Sequence, residues 1–261
     1  MIPTVARLIA CLLGSCVSLI ALPARAQTTP LVAAAADLRF ALDEVITEYR
    51  RATGTVVRVT YGSSGDIARQ IEQGAPFDLF MSADEAYVER LASKGLTVDH
   101  GVLYGIGRIV LFTPAGSPVQ ADDRLADVRR AIGDGRLRKL AIANPEHAPY
   151  GRAAREALDA LGLWRAVQPT LVFGENVSQA AQFAASGSAE AGIFALSLAG
   201  APGLAGKGRY VVLPEALHRP LRQRMALLKR GSASAAGFYA FLQQPAARAV
   251  FRRYGFALPG E

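Results

Sequence analysis

Cysteine is almost absent from this 261-residue chain: Cys11 and Cys16 are its only two, and both fall in an apolar leader. The chain beyond that leader therefore has no thiol, which excludes a disulfide framework, a thiolate metal site and a cysteine nucleophile. Histidine is scarce too. His100, His147 and His218 lie far apart with no His-x-x-x-His or similar metal spacing, and they read as solvated loop residues. No Gly-x-Ser-x-Gly elbow is present, since the frame around Ser64 is Gly62-Ser63-Ser64-Gly65-Asp66. A secreted serine hydrolase built on Ser64 is therefore only a remote alternative. A phosphate loop fails as well, because Ala201 takes the first-glycine position and Gly208 follows Lys207. Past the leader no apolar run is long enough to span a bilayer. The basic residues do not cluster: 29 Lys and Arg stand against 22 Asp and Glu, spread along the chain. That argues against a nucleic-acid partner and leaves a mild attraction for anions.

The leader itself has the parts of a secretory signal. Arg7 precedes an apolar run over residues 8–22, and Pro23-Ala24-Arg25-Ala26 supplies a small-residue cleavage site after Ala26. Leu13-Gly14-Ser15-Cys16 is a competing lipoprotein-like site, but cleavage there would leave a strongly apolar tail. Removing residues 1–26 takes away two arginines and no acid, so 27 basic residues face 22 acidic ones, a net charge of +5. An exported chain of this length without disulfides must be held by a large core.

Strands and helices alternate. Residues 31–35 form a short apolar strand, and Leu38, Ala41, Leu42, Val45, Ile46 and Tyr49 recur at helical spacing until Gly54. Residues 56–61 are β-branched and aromatic; Ile67, Ala68 and Ile71 resume helical spacing after the turn. A strand at residues 77–81 leads to Asp84, read as a helix N-cap, with Asp78 as a strand-start residue. A second set starts at Gly107, with strands at residues 108–112, 139–143, 170–173 and 191–194. Its helices lie around residues 125–132, after Tyr150-Gly151 and after Val177-Ser178. Residues 210–213 are expected to return toward the first set, followed by helices near residues 234–242 and 245–254. The expectation is an α/β fold of mostly parallel sheets flanked by helices. Lobe one would comprise residues 27–107 and 214–261, and lobe two residues 108–213, with hinges near residues 106–108 and 213–214.

Four strand-to-helix turns share one character: Ala36-Asp37, Ser63-Ser64, Pro149-Tyr150-Gly151 and Asn176-Val177-Ser178. Ligands of open α/β sheets sit beyond the carboxyl ends of the strands, so two turns per lobe would face each other across a cleft. Several helix N-termini aimed at one point hold an anion without Lys or Arg.

These residues resemble a known family, the periplasmic molybdate-binding proteins that serve molybdate ABC transporters. The resemblance rests on Ala33-Ala34-Ala35-Ala36-Asp37-Leu38, Gly62-Ser63-Ser64-Gly65, the specific run from Gln70 through Pro76-Phe77-Asp78 to Asp84, Asn144-Pro145 through Pro149-Tyr150-Gly151, and Glu175-Asn176-Val177-Ser178-Gln179-Ala180. It implies a two-lobed type II periplasmic binding-protein fold that closes on a tetrahedral oxyanion, without catalysis, cofactor or bare metal cation. The implied ligand contacts are Ala36, Asp37, Ser64, Tyr150 and Val177. The implied partners are molybdate or tungstate and a membrane ABC permease, for a monomer in the periplasm. Many members carry a tyrosine where this chain has Ala195; here Tyr150 either returns a phenol donor or covers the cleft edge.

Asp37 departs from the pattern, which expects Ser or Asn. An ionised carboxylate only accepts hydrogen bonds, and a dianion ~5 Å away at an effective dielectric of ~20 is repelled by roughly 6 kcal/mol. Three resolutions are open: the carboxylate caps its own helix (the favoured one), it is protonated in the closed site, or the ligand is not a fully charged oxyanion or arrives with a cation, which would make the chain a binding protein for a different small anion or an unusual ligand that tolerates Asp37.

Overall fold

The computed structural model describes residues 29–232 and 234–260. The expected signal peptide and the Cys16 alternative lie outside them. Among the described residues no helix is long and apolar enough to cross a membrane.

The chain opens with β1 (Leu31–Ala35), whose sequence LVAAA is buried on both faces; small alanines let helices approach closely on either side. A short 3₁₀ turn at Ala36–Leu38 leads into α1 (Arg39–Thr53), which buries Ala41, Leu42, Val45 and Tyr49 and stops at Gly54, where φ is +73°. Then come β2 (Arg58–Gly62), α2 (Ser64–Glu72), β3 (Leu79–Ser82), α3 (Glu85–Ser93) and β4 (Val102–Gly107). The chain crosses at once into β5 (Ile109–Pro114), α4 (Ala126–Gly133), β6 (Leu140–Ala143), α5 (Pro149–Ala160), the short α6 (Trp164–Val167), β7 (Leu171–Gly174) and α7 (Val177–Ala185). It continues through β8 (Ala191–Ala195), the short α8 (Leu196–Ala199) and β9 (Gly208–Val212), and crosses back to β10 (Leu221–Leu227), α9 (Ser234–Phe241) and α10 (Pro245–Arg253).

Two five-stranded sheets result, ordered β2-β1-β3-β10-β4 and β7-β6-β8-β5-β9. The orders are equivalent. In each, three strands pair in parallel, one strand (β10 or β5) runs against both neighbours, and the edge strand beyond it points with the first three. Four of five strands therefore share a direction, as expected from the βαβ pattern. Each antiparallel strand is the one the chain enters on crossing between the sheets.

Two strands escaped the sequence reading, β4 and β10. Residues 210–213, read as returning to the first set, fall instead mostly in β9 (Gly208–Val212), the edge of the second sheet beside β5. The return is made by β10, whose Arg222 and Arg224 flank a buried Gln223. The tail helices cover α1 and β4: Tyr49 meets Phe238 at 5.0 Å between ring centres, and Tyr104 meets Phe251 at 5.8 Å.

Candidate functional site

All four expected turns meet. A small cavity between the two sheets is lined by Ala35, Ala36, Asp37, Gly62, Ser63, Ser64, Ala83, Ala148, Pro149, Tyr150 and Val177, which include every sequence-predicted contact. Its free volume is small, about 10 Å³ for the centre of a water-sized sphere.

Helix geometry explains what this pocket offers. The first amides of a helix have no intrahelical acceptor, and here they belong to Ser64 in α2, Tyr150 in α5 and Val177 in α7. Ser63 and Asn176 act as N-caps, accepting from the amides of Asp66 and Gln179, so deeper amides are satisfied while the first stay free for a ligand. The Ser64 hydroxyl is fully buried and accepts from the Ala83 amide at 3.0 Å, which leaves its own proton to donate. Gly151 is forced: a Cβ there would stand 2.2 Å from the Ala143 carbonyl oxygen, so only glycine lets α5 start this close to β6.

Asp37 does not cap its helix, contrary to expectation. It sits inside the 3₁₀ turn rather than one residue ahead of α1, and neither element has a side-chain cap. Its carboxylate is 1% exposed; Oδ2 accepts from the Tyr150 hydroxyl at 2.9 Å and from Gln223 Nε2 at 2.8 Å. Gln223 Oε1 in turn accepts from the Tyr104 hydroxyl at 2.7 Å. Asp37 Oδ1 has no partner among the described residues. Burial pushes the carboxyl up to about 6, with the Gln223 and Tyr150 hydrogen bonds restraining the rise. The Tyr150 phenol, 2% exposed, is thus engaged by Asp37 rather than placed at the cleft edge, and burial keeps it protonated. Gln223 and Tyr104 were not anticipated.

A raised carboxyl has a testable sign. Between an unfolded value of about 3.9 and a folded value of about 6 the native state holds more protons, so stability falls as pH rises through that window. The full penalty is about 3 kcal/mol. Asp37→Asn should therefore raise the melting temperature of the ligand-free protein by several degrees at pH 8, with the difference fading at pH 4; equal shifts at both pH values would contradict the assignment.

Contacts across the pocket close it. The Gly65 amide donates to the His147 carbonyl at 3.0 Å, and the Ser178 and Ser197 hydroxyls donate to the carbonyls of Ala36 and Asp37 at 3.2 and 2.8 Å. Arg152 in α5 pairs with Asp84 at 3.0 Å, and Asp84 also caps α3 as expected. Asp78 anchors the start of β1, its Oδ2 accepting from the Leu31 amide at 2.5 Å.

His147 is not a solvated loop residue. Its Nδ1 lies 2.8 Å from Ser63 Oγ and 3.1 Å from Asp66 Oδ2, and Glu175 stands close by. Serine and carboxylate both face the same ring nitrogen, so the group lacks the relay geometry of a hydrolase, in which they face opposite nitrogens. Ser64 Oγ bonds a backbone amide and not a histidine. His218 is also buried, its Nδ1 2.8 Å from the Arg219 carbonyl.

Two sheets of equivalent order facing each other across a pocket of helix N-termini define a two-lobed solute-binding protein. Residues 30–257 match the family described as bacterial extracellular solute-binding protein, and the chain belongs to that family of binding proteins, not enzymes. It is similar to the molybdate-binding protein ModA of Rhodobacter capsulatus (35% identical, 91% of each chain covered) and to that of Escherichia coli (34%, covering 87% of this chain and 88% of the relative). Its fold is similar to the solved periplasmic molybdate-binding protein of Azotobacter vinelandii, with a TM-score of 0.79 and 29% identity over 88% of this chain and 99% of that one.

Proposed function

We propose that this chain captures molybdate, or the nearly isosteric tungstate, in the pocket between its lobes and delivers it to a membrane ABC permease, as a monomer in the periplasm. The observation that carries this reading is the meeting of four strand-to-helix turns, two from each sheet, at one small cavity. The sequence relatives named above support the choice of oxyanion.

The donor set is the Ala36-Asp37 turn, the amide and hydroxyl of Ser64, and the amides of Tyr150 and Val177. Preorganised donors with water excluded supply the binding energy, and cavity size separates molybdate from smaller anions of like charge. The lobes part at the two crossings, β4 to β5 and β9 to β10, to let the ligand in, and come together around it. Lobe one then comprises residues 27–107 and 214–261, and lobe two residues 108–213. The closed form, with both lobes in register, is what the permease would recognise.

Titration calorimetry with molybdate tests this directly. The wild type should bind one equivalent, and Ser64→Ala should weaken binding roughly 10- to 150-fold, the worth of one hydrogen bond to a charged group. Unchanged affinity in that variant would remove Ser64 from the donor shell.

A further inference from the structure

Asp37 is a buried acid on the wall of a site built for an anion, and its two oxygens are not equivalent. Oδ2 is filled by the Tyr150 and Gln223 donors, whereas Oδ1 has atom-level burial and no partner among the described residues. An ionised carboxylate offers only lone pairs at Oδ1, and an oxyanion offers only lone pairs toward it. A ligand oxygen meeting that acceptor needs a proton between the two.

We propose that the protein captures its oxyanion together with one proton, held between Asp37 Oδ1 and a ligand oxygen, and that Asp37 is thereby a specificity-determining residue for the bound species. The inference rests on the oxyanion reading above. Formally, one proton from solvent joins the protein–dianion complex, so the closed complex carries one negative charge fewer than its separated parts.

No charged side chain is hydrogen-bonded to the Asp37 carboxylate among the described residues. The carboxylate's hydrogen-bond partners are Tyr150 from α5 and Gln223 from β10; Tyr104 from β4 bonds Gln223, Ser197 from α8 bonds the Asp37 carbonyl, Ser178 from α7 bonds the Ala36 carbonyl and Ser64 from α2 lines the same cavity, all uncharged. Arg39 lies over the Tyr61 ring, and Arg152 pairs with Asp84 and Glu156. Burial already moves this carboxyl toward the protonated form before any ligand arrives, and a neighbouring dianion pushes it further in the same direction.

The test is calorimetric titration of molybdate at pH 7.5 in several buffers that differ in ionisation enthalpy. The slope of observed enthalpy against buffer ionisation enthalpy counts protons, and it should approach one for the wild type. Asp37→Asn, whose amide donates to the ligand without a proton, should bind molybdate with a slope near zero. Independently of any variant, wild-type affinity should weaken about tenfold per pH unit from pH 7 to 9. Binding with zero slope and no pH dependence in the wild type would overturn the proposal and leave the oxyanion reading standing. Absence of any molybdate binding would overturn both.

Discussion

Replacing Gly65 with alanine is expected to cost at least about 100-fold in molybdate affinity, while the empty protein loses only its cross-cleft contacts, such as that of Tyr150 with Asp37. Gly65 is the second residue of α2 and has ordinary helical backbone, so alanine is locally the better helix former, by about 1 kcal/mol. The objection to a methyl comes from the opposite lobe. A Cβ would stand 2.6 Å from the His147 carbonyl oxygen and 3.1 Å from its Cα. The same approach carries the hydrogen bond from the Gly65 amide to that carbonyl. Backbone atoms cannot step aside as a flexible side chain can, so the variant holds the cleft open. Calorimetry for binding and a thermal melt of the ligand-free protein separate the two effects. Normal affinity in Gly65→Ala would mean that the closed contact has no part in capture.

Gly107→Ala is expected to damage the fold and the site together. This glycine ends β4, at the first crossing, and a Cβ there would lie 2.2 Å from the Tyr150 hydroxyl and 2.7 Å from Gln223 Nε2. The phenol would have to leave Asp37, stranding a buried carboxyl whose second oxygen already lacks a partner. Overpacking and the lost hydrogen bonds should cost about 2–4 kcal/mol. In a chain of this size that lowers the melting temperature by roughly 5–15 °C. A change within a degree or two, by differential scanning calorimetry, would show that the phenol–carboxylate contact contributes little.

The sequence exposed the pocket wall because its determinants are local. An apolar strand, a short hydroxyl-rich or glycine-rich turn and an apolar helical period can each be recognised within about fifteen residues, and the topology rule for α/β sheets places such turns on one side. Ala36, Ser64, Tyr150 and Val177 were legible for that reason. The polar network behind them was not. Asp37 finds its partners at Tyr150 and Gln223, 113 and 186 residues away, and no local pattern links them. Gln223 in the run LRQRMAL looks like one polar residue among exposed arginines, yet it is fully buried. The same run hid β10, because its charged residues mimic a solvated segment; β4 was hidden by two glycines in six residues. The capping expectation for Asp37 failed because the rule for a helix-start acid assumes a residue just outside the helix, and a 3₁₀ turn intervenes here. His147 met Ser63 and Asp66 through the closure of two lobes, which no spacing in the chain reports.

The most direct measurement is an anomalous difference map at the molybdenum edge from crystals grown with molybdate. The account requires one strong peak between the Ala36-Asp37 turn and the first amides of α2, α5 and α7, with a ligand oxygen in hydrogen-bonding range of Asp37. Occupied crystals whose only peak lay outside that cavity, or saturating molybdate that gave no peak at all, would contradict it.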